Sequence, residues 1–325
     1  MKAMVIKAFG DVDQLEVQEL VMPIPKSDEV LIKVKAFGIN RSETYMRKGI
    51  WGEVAKVTGI ECVGTVVNDP SGQLKVGQTV AAIMGGMGKA RNGSYAEYTC
   101  APASNIFILD TDMDWVNLAA VPESYATAWG CLHQNMHIQP GDTVFIRGGT
   151  SALALAAINI ASNIERVTVY GSTRFKEKKS ILENAGCSQV FVEGENVSQA
   201  LRQVEKSGVS SVLDLIGNTT LLDSLKMAKK GGYVCHAGFL GGGEAIPFNS
   251  PICLPPFVNL NFFGSFMFGS DSYPLSDIPM QEIVENVSKD IYKAKPENIF
   301  AFEEIPQAHQ MRENNEASGK IVVEV

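Results

Sequence analysis

After Pro122 the chain changes rhythm, and that change restricts its fold more than any other feature. Apolar strands alternate with helices at even spacing. The helix-like stretch Ser124–His133 leads in. It is followed by the strand Asp142–Arg147 (DTVFIR), the helical run Ala152–Ala161, the strand Arg166–Tyr170 (RVTVY) and the charged helix Lys176–Ala185. Gln189–Val192, Ser198–Lys206, Ser211–Leu215, Leu221–Ala228 and Tyr233–Ala237 continue the series. Strands that are apolar throughout, rather than on alternate residues, are covered on both faces. Such strands separated by helices build a parallel sheet wound with helices on both sides.

The residues before this region follow another pattern. Met1–Lys7, Glu29–Ala36 (EVLIKVKA), Glu61–Val67, Gln78–Met84 and Ser94–Cys100 read as short strands broken by Gly and Pro, with period-two alternation clearest in EVLIKVKA. That spacing predicts a compact, β-rich, barrel-like unit. A helix near Met280–Ala294 and a last strand, Lys320–Val325, return to it. The expected architecture is α/β: a Rossmann-type doubly wound parallel sheet, residues 125–261, inserted between two pieces of the β-rich domain, 1–124 and 262–325. A length of 325 residues agrees with about two domains.

Composition excludes several roles. The net charge of −8 disfavours a nucleic-acid or anionic-membrane surface. Six scattered cysteines without a C-x-x-C pair read as reduced, buried thiols. Met1–Gly10 has no signal-peptide core, and the apolar run Ala152–Ile164 is too short to span a bilayer. A soluble, cytoplasmic protein is the expectation.

Strand DTVFIR runs through Gly148, Gly149, Thr150 and Ser151 into the helix that opens with Ala152 and Leu153. A dinucleotide pyrophosphate sits against free N–H groups at such a helix start. Ala152 and Ala154 interrupt the strict glycine spacing, so the turn alone reads equally as a plain strand–helix connection. Thr150 and Ser151 can cap the helix or touch phosphate. About 20 residues on, where an NAD site places a carboxylate for the ribose 2′-hydroxyl, the chain offers Ser172, Thr173 and Arg174, with Lys178 beyond. Two hydroxyls and two cations suit a 2′-phosphate, so NADPH is the expected cofactor. Gly217 and Asn218 are expected beside the ribose, and Gly238 and Phe239 near the nicotinamide end. His236 reads as a packed histidine.

Several landmarks resemble one family: Gly38–Tyr45 (GINRSETY), Gly59–Gly64 (GIECVG), Val121-Pro122-Glu123, Thr127-Ala128-Trp129, the Gly148 loop and Ser318–Val322 (SGKIV). Together they are similar to the medium-chain dehydrogenase/reductase superfamily, in its zinc-free quinone oxidoreductase branch. The resemblance implies a GroES-like domain around the nucleotide-binding one. It also implies no metal: Asn40 and Ile60 stand where the alcohol dehydrogenases carry a Cys and a His, the third ligand position falls near Glu123, and only Cys100 lies in the structural-zinc region. Without a Lewis acid, hydride transfer favours electron-poor acceptors such as quinones or α,β-unsaturated carbonyls. Asn40, Tyr45 and Trp51 are the pocket residues implied. Asn40 also reads as a turn residue and Tyr45 as a core aromatic.

Trp51 stands near where relatives often carry a Tyr, and indole cannot deliver a proton at neutral pH, which argues against an enoyl-thioester reductase. Thr127 is expected near the nicotinamide and Lys320 near the cofactor. The family further implies a homodimer joined at sheet edges, with Pro251–Phe263 as the strand-like candidate. An enoyl or alkenal reductase and a non-catalytic NADPH-binding protein are the alternatives.

Overall fold

The computed structural model describes residues 1–194 and 196–325. The chain forms two units, Met1–Ser124 with Ser265–Val325, and Tyr125–Gly264.

The first unit begins with β1 (Lys2–Ile6) and β2 (Leu15–Glu19), an antiparallel pair. β3 (Glu29–Ile39) is its organising strand; α1 (Arg41–Arg47), β4 (Glu61–Asn68), β5 (Thr79–Ile83), β6 (Tyr98–Pro102), β7 (Ile106–Ile108) and α2 (Trp115–Ala119) follow. Residues 94–96, expected in a strand, instead bond to distant loop and strand backbone: Ser94 N–H reaches Gly59 O, Tyr95 N–H reaches Thr58 O, and Ala96 forms an isolated bridge with Ala3. The strand therefore starts at Tyr98 and ends at Pro102.

α3 (Pro122–Trp129) leads into the second unit and continues as a π-helical turn, Gly130–Asn135. Glycine is required at 130, because a Cβ there would lie 2.5 Å from the Phe263 ring. Then come β8 (Thr143–Arg147), α4 (Ala152–Ser162), β9 (Thr168–Thr173), α5 (Lys179–Ala185), β10 (Gln189–Val192), α6 (Val197–Val204), β11 (Val209–Asp214), α7 (Leu221–Leu225) and β12 (Ala228–His236). Pro251–Phe263 is not one strand: α8 (Ser250–Cys253) is a helical turn with Pro251 near its start, and only β13 (Asn259–Phe262) is extended. Pro251, like any proline, fits a first helical turn because no N–H is needed there. Since β13 pairs with β12, the second unit reaches Gly264, three residues beyond the boundary expected from sequence.

The last segment returns to the first unit with α9 (Met280–Ser288), β14 (Asn298–Ala301), α10 (Ile305–Glu313) and β15 (Ile321–Glu324). β15 pairs antiparallel with β3. The sheet runs β14-β15-β3-β4-β5-β7, with β6 also on β3. Two register shifts in β3, near Leu31 and Val34, bend it enough to serve several neighbours. Phe37 and Tyr95 stack at 4.7 Å in its core, among Met4, Val34, Ile39, Val57 and Val323.

In the second unit the sheet order is β10-β9-β8-β11-β12-β13, every pairing parallel. Numbered within the unit, that is 3-2-1-4-5-6, whose direction reverses between β8 and β11. In such sheets ligands sit outside the carboxyl ends of the strands at the reversal. Phe145, Tyr170, Leu201, Val212, Leu225 and Val234 fill one face of this sheet. Among the described residues no helix is long and apolar enough to cross a membrane.

Candidate functional site

β8 ends at Arg147, and Gly148 turns the chain with φ of 85°. Gly149 passes close under the next strand: its N–H donates to Ser172 O, and a Cβ would lie 2.3 Å from Leu182 Cδ2 and 2.8 Å from that same oxygen. Ser151 caps α4 by accepting from Ala154 N–H at 3.2 Å, and its own hydroxyl donates to Gly148 O at 3.0 Å. Of the two functions open to that hydroxyl, capping takes it. The N–H groups of Ala152 and Leu153, in the first turn, find no acceptor among the described residues. Thr150 is partly exposed beside them.

Beneath this turn lies a polar network that sequence reasoning missed. Arg147, only 2% exposed, grips Glu193 through two bonds, Nε to Oε1 at 2.9 Å and Nη2 to Oε2 at 2.8 Å. Its Nη1 donates to Asp223 at 2.9 Å, Ser224 Oγ at 3.1 Å and Thr220 O at 3.3 Å. Asp214, at the end of β11, accepts from the N–H groups of Ile216 and Gly217 and from the hydroxyls of Thr220 and Ser224. A charged residue ending an otherwise apolar strand, as in DTVFIR and VSSVLD, was the available signal.

The network also corrects one expectation. Ser172 was expected at the 2′-phosphate, yet its buried hydroxyl donates to Glu193 Oε1 at 2.5 Å. A carboxylate out of water draws the nearest donors to itself, and Ser172 is one of them. Thr173 is buried and accepts from Phe175 N–H at 3.3 Å. Arg174 is exposed, with its guanidinium carbon 5.4 Å from the centre of the Phe175 ring, and Lys178 Nζ lies 5.6 Å from the same ring. One phenyl group thus gathers both cations.

At the other strand ends Gly217, with φ of 89°, and Gly238 let the backbones approach; a Cβ on Gly238 would lie 2.6 Å from Leu215 O. Asn218 Nδ2 donates to Glu244 at 2.5 Å, so its amide is held by a neighbour. Phe239 packs edge-on against His236 at 5.2 Å, and His236 Nε2 lies 2.7 Å from Gly238 O, a packed histidine. Thr127 is buried on α3.

In the first unit, Asn40 caps α1 and its amide is fully engaged. Nδ2 donates to Glu61 Oε1 at 2.9 Å and, more weakly, to Glu43 at 3.4 Å; Oδ1 accepts from Lys320 Nζ at 2.6 Å. Two carboxylates and an ammonium hold both of its ends. Lys320 is likewise buried among Glu61, Asn40 and Ser124, rather than presented at a surface. Glu43 accepts from the N–H groups of Asn40 and Ile60 and the Ser42 hydroxyl, yet burial pushes its carboxyl up to about 7. Tyr45 is half-buried, which raises its phenol pKa, and its ring lies 5.8 Å from the exposed Trp51. Lys89 Nζ, another residue missed, donates to the carbonyls of Trp51 at 2.5 Å and Glu53 at 2.6 Å, which fixes that loop. Burial pushes the Cys62 and Cys187 thiols up to about 12, so neither is a ready nucleophile. Among the described residues no three His, Cys, Asp or Glu side chains are grouped to hold a metal.

Two family models match the chain, the alcohol dehydrogenase GroES-like domain over residues 26–111 and the zinc-binding dehydrogenase domain over residues 152–280. Quinone oxidoreductases are among its relatives. That of Lama guanicoe is 27% identical over 257 residues and that of Homo sapiens 28% over 255, each alignment covering 76% of both chains. The chain belongs to the medium-chain dehydrogenase/reductase superfamily. Within it, the chain falls in the quinone oxidoreductase branch and is a quinone-oxidoreductase-like enzyme. Solved members of the superfamily share its fold over the full length. The Escherichia coli quinone oxidoreductase, described as a complex with NADPH, has a TM-score of 0.89 at 18% identity, covering 100% of both chains. A mycobacterial protein, also complexed with NADPH, has 0.88 at 24%, again with 100% of both covered. An NAD-dependent alcohol dehydrogenase has 0.82 at 22%, covering 100% of each. Superfamily membership therefore fixes the fold and leaves the choice of cofactor to side chains.

Proposed function

We propose that the chain is a zinc-independent, NADPH-dependent oxidoreductase that passes a hydride to a quinone or an α,β-unsaturated carbonyl. The observation that carries the cofactor choice is the end of β9. A grip on the 2′-hydroxyl of NADH needs a carboxylate there, and this chain places Thr173 and the exposed Arg174 instead. Among the described residues Arg174 has no carboxylate partner, so its fork of donors remains for a phosphate.

The cradle suits a dinucleotide. Gly149, Thr150, Ser151, Ala152 and Leu153 supply a close backbone and the positive start of α4 for the pyrophosphate. Arg174 and Lys178 would hold the 2′-phosphate. Gly217, Asn218, Gly238, Phe239 and Thr127 complete the proposed lining. Bound NADPH supplies the hydride.

The chain's own residues then have two tasks. The Tyr45 phenol, protonated at neutral pH and more so for its burial, donates a hydrogen bond to the acceptor oxygen as negative charge develops on it. Trp51, on a loop fastened by Lys89, limits the acceptor's shape. Zinc independence is supported by Asn40 and Ile60 at the positions of metal ligands in the zinc-using branch. Electron-poor acceptors suit a site without a Lewis acid.

Fluorescence titration with both nicotinamide cofactors tests the reading. NADPH should bind more tightly. Arg174→Ala should weaken NADPH by about tenfold or more, the value of one lost charge-assisted pair, and leave NADH nearly unchanged. Parallel losses would assign Arg174 to the fold. A screen of NADPH oxidation over quinones, enals and enones, with and without a chelator, tests the acceptor class. Loss of turnover on chelation would remove zinc independence, and no turnover on any acceptor would favour a binding protein. We also propose a homodimer.

A further inference from the structure

Lys320 immediately precedes β15 and turns its side chain into the first unit. The side chain is 3% exposed, and its ion-pair partner Glu61 is 1% exposed. Besides the Glu61 carboxylate, Nζ donates to Asn40 Oδ1 at 2.6 Å and Ser124 Oγ at 3.1 Å, and Glu123 Oε2 lies 3.8 Å away. An ammonium has three donors and no acceptor, and three oxygens receive them here while a second carboxylate stands close by. The tether has its own passage. At Gly38 a Cβ would lie 2.1 Å from Lys320 Cε and 2.6 Å from Glu61 Oε1, so any other residue at that position would close the slot.

Two carboxylates, an amide oxygen and a hydroxyl form a hard, oxygen-only set, the kind that binds divalent cations such as Mn²⁺ or Mg²⁺. In this chain a cation already sits among them, covalently attached. We propose that Lys320 is a tethered cation filling a latent divalent-metal site: the chain keeps metal out by occupying the site, and the same ammonium positions the Asn40 cap. The inference rests on the zinc-independent reading above. It adds that the cluster has a built-in counter-ion whose removal would expose a site for a free one.

The experiment uses the full chain with Mn²⁺ as probe, free ion being followed by electron paramagnetic resonance. Four proteins are compared: wild type, Lys320→Ala, Lys320→Met and Lys320→Ala with Glu61→Gln. Lys320→Ala should bind one Mn²⁺ per chain at least tenfold more tightly than wild type. Lys320→Met, which refills the slot with uncharged atoms, should stay at the wild-type level, and the double variant should lose the gained site. A folded Lys320→Ala protein that binds no more Mn²⁺ than wild type, or gained binding that survives Glu61→Gln, would overturn the proposal.

Chelator-sensitive turnover in the wild type bears on the zinc-independent reading alone, so the two failures are separable. If Lys320→Ala does not fold, refolding is repeated at one ionic strength in sodium, methylammonium and tetramethylammonium chlorides. Recovery in methylammonium alone supports a missing cation, and equal failure in all three overturns it.

Discussion

Single residues divide into those whose part was readable from sequence and those whose part depended on a distant partner. Glycines were readable, since Gly149 permits a close approach that no other residue does. Gly149→Ala should cost about 1–3 kcal/mol, because its new methyl would meet Leu182 and a strand carbonyl that cannot swing aside. Urea denaturation measures this, and an unchanged midpoint would show that the turn can open. Polar side chains were not readable in the same way. Ser172 reads as a phosphate contact and Asn40 as a pocket residue, yet their side chains meet Glu193 and Lys320, 21 and 280 residues away. A buried carboxylate takes whichever donor the fold brings near it, and sequence spacing carries no information about that meeting.

Among elements, apolar runs gave away the strands of the second sheet, while the strand-like stretch Pro251–Phe263 divides into a helical turn and a short strand, because the two look alike over so few residues. Helix α1 shows what an element's packing does to titration. Burial holds the Glu43 carboxyl at about 7, above its ordinary 4.5, and holds His309, on α10, at about 3, below its ordinary 6.5. The raised carboxyl adds stability below pH 4.5 that is lost as pH rises through about 7. The depressed imidazole adds stability above pH 6.5 that is lost as pH falls toward 3. Between pH 4.5 and 6.5 the two slopes oppose. Glu43→Gln leaves only the imidazole's slope, so the variant should lose stability relative to wild type on acidification from pH 7 to 5, on the order of 1 kcal/mol per pH unit. Urea midpoints at several pH values check this, and parallel profiles would place Glu43 near its ordinary value.

At the scale of the whole molecule, the strand-helix rhythm was the most legible feature, and the two-unit division followed from where it starts and stops. One edge of the second sheet ends in β13, whose Leu260 and Phe262 are exposed, with Phe257 beside it. Edges with apolar side chains tend to be covered. Light scattering on the purified protein should give twice the 35.1 kDa chain mass, and Leu260→Lys with Phe262→Lys should return it to one. A wild type of single-chain mass would remove the homodimer.

The order of synthesis adds a last consequence. The second unit is continuous in sequence, so its sheet can be completed while the ribosome is still translating. The first unit waits for β15, which pairs with β3 more than 280 residues after that strand emerged. Until then Glu61 and Asn40 lack the ammonium they close around. The Glu61 carboxylate therefore goes without its ammonium partner until Lys320 has been made.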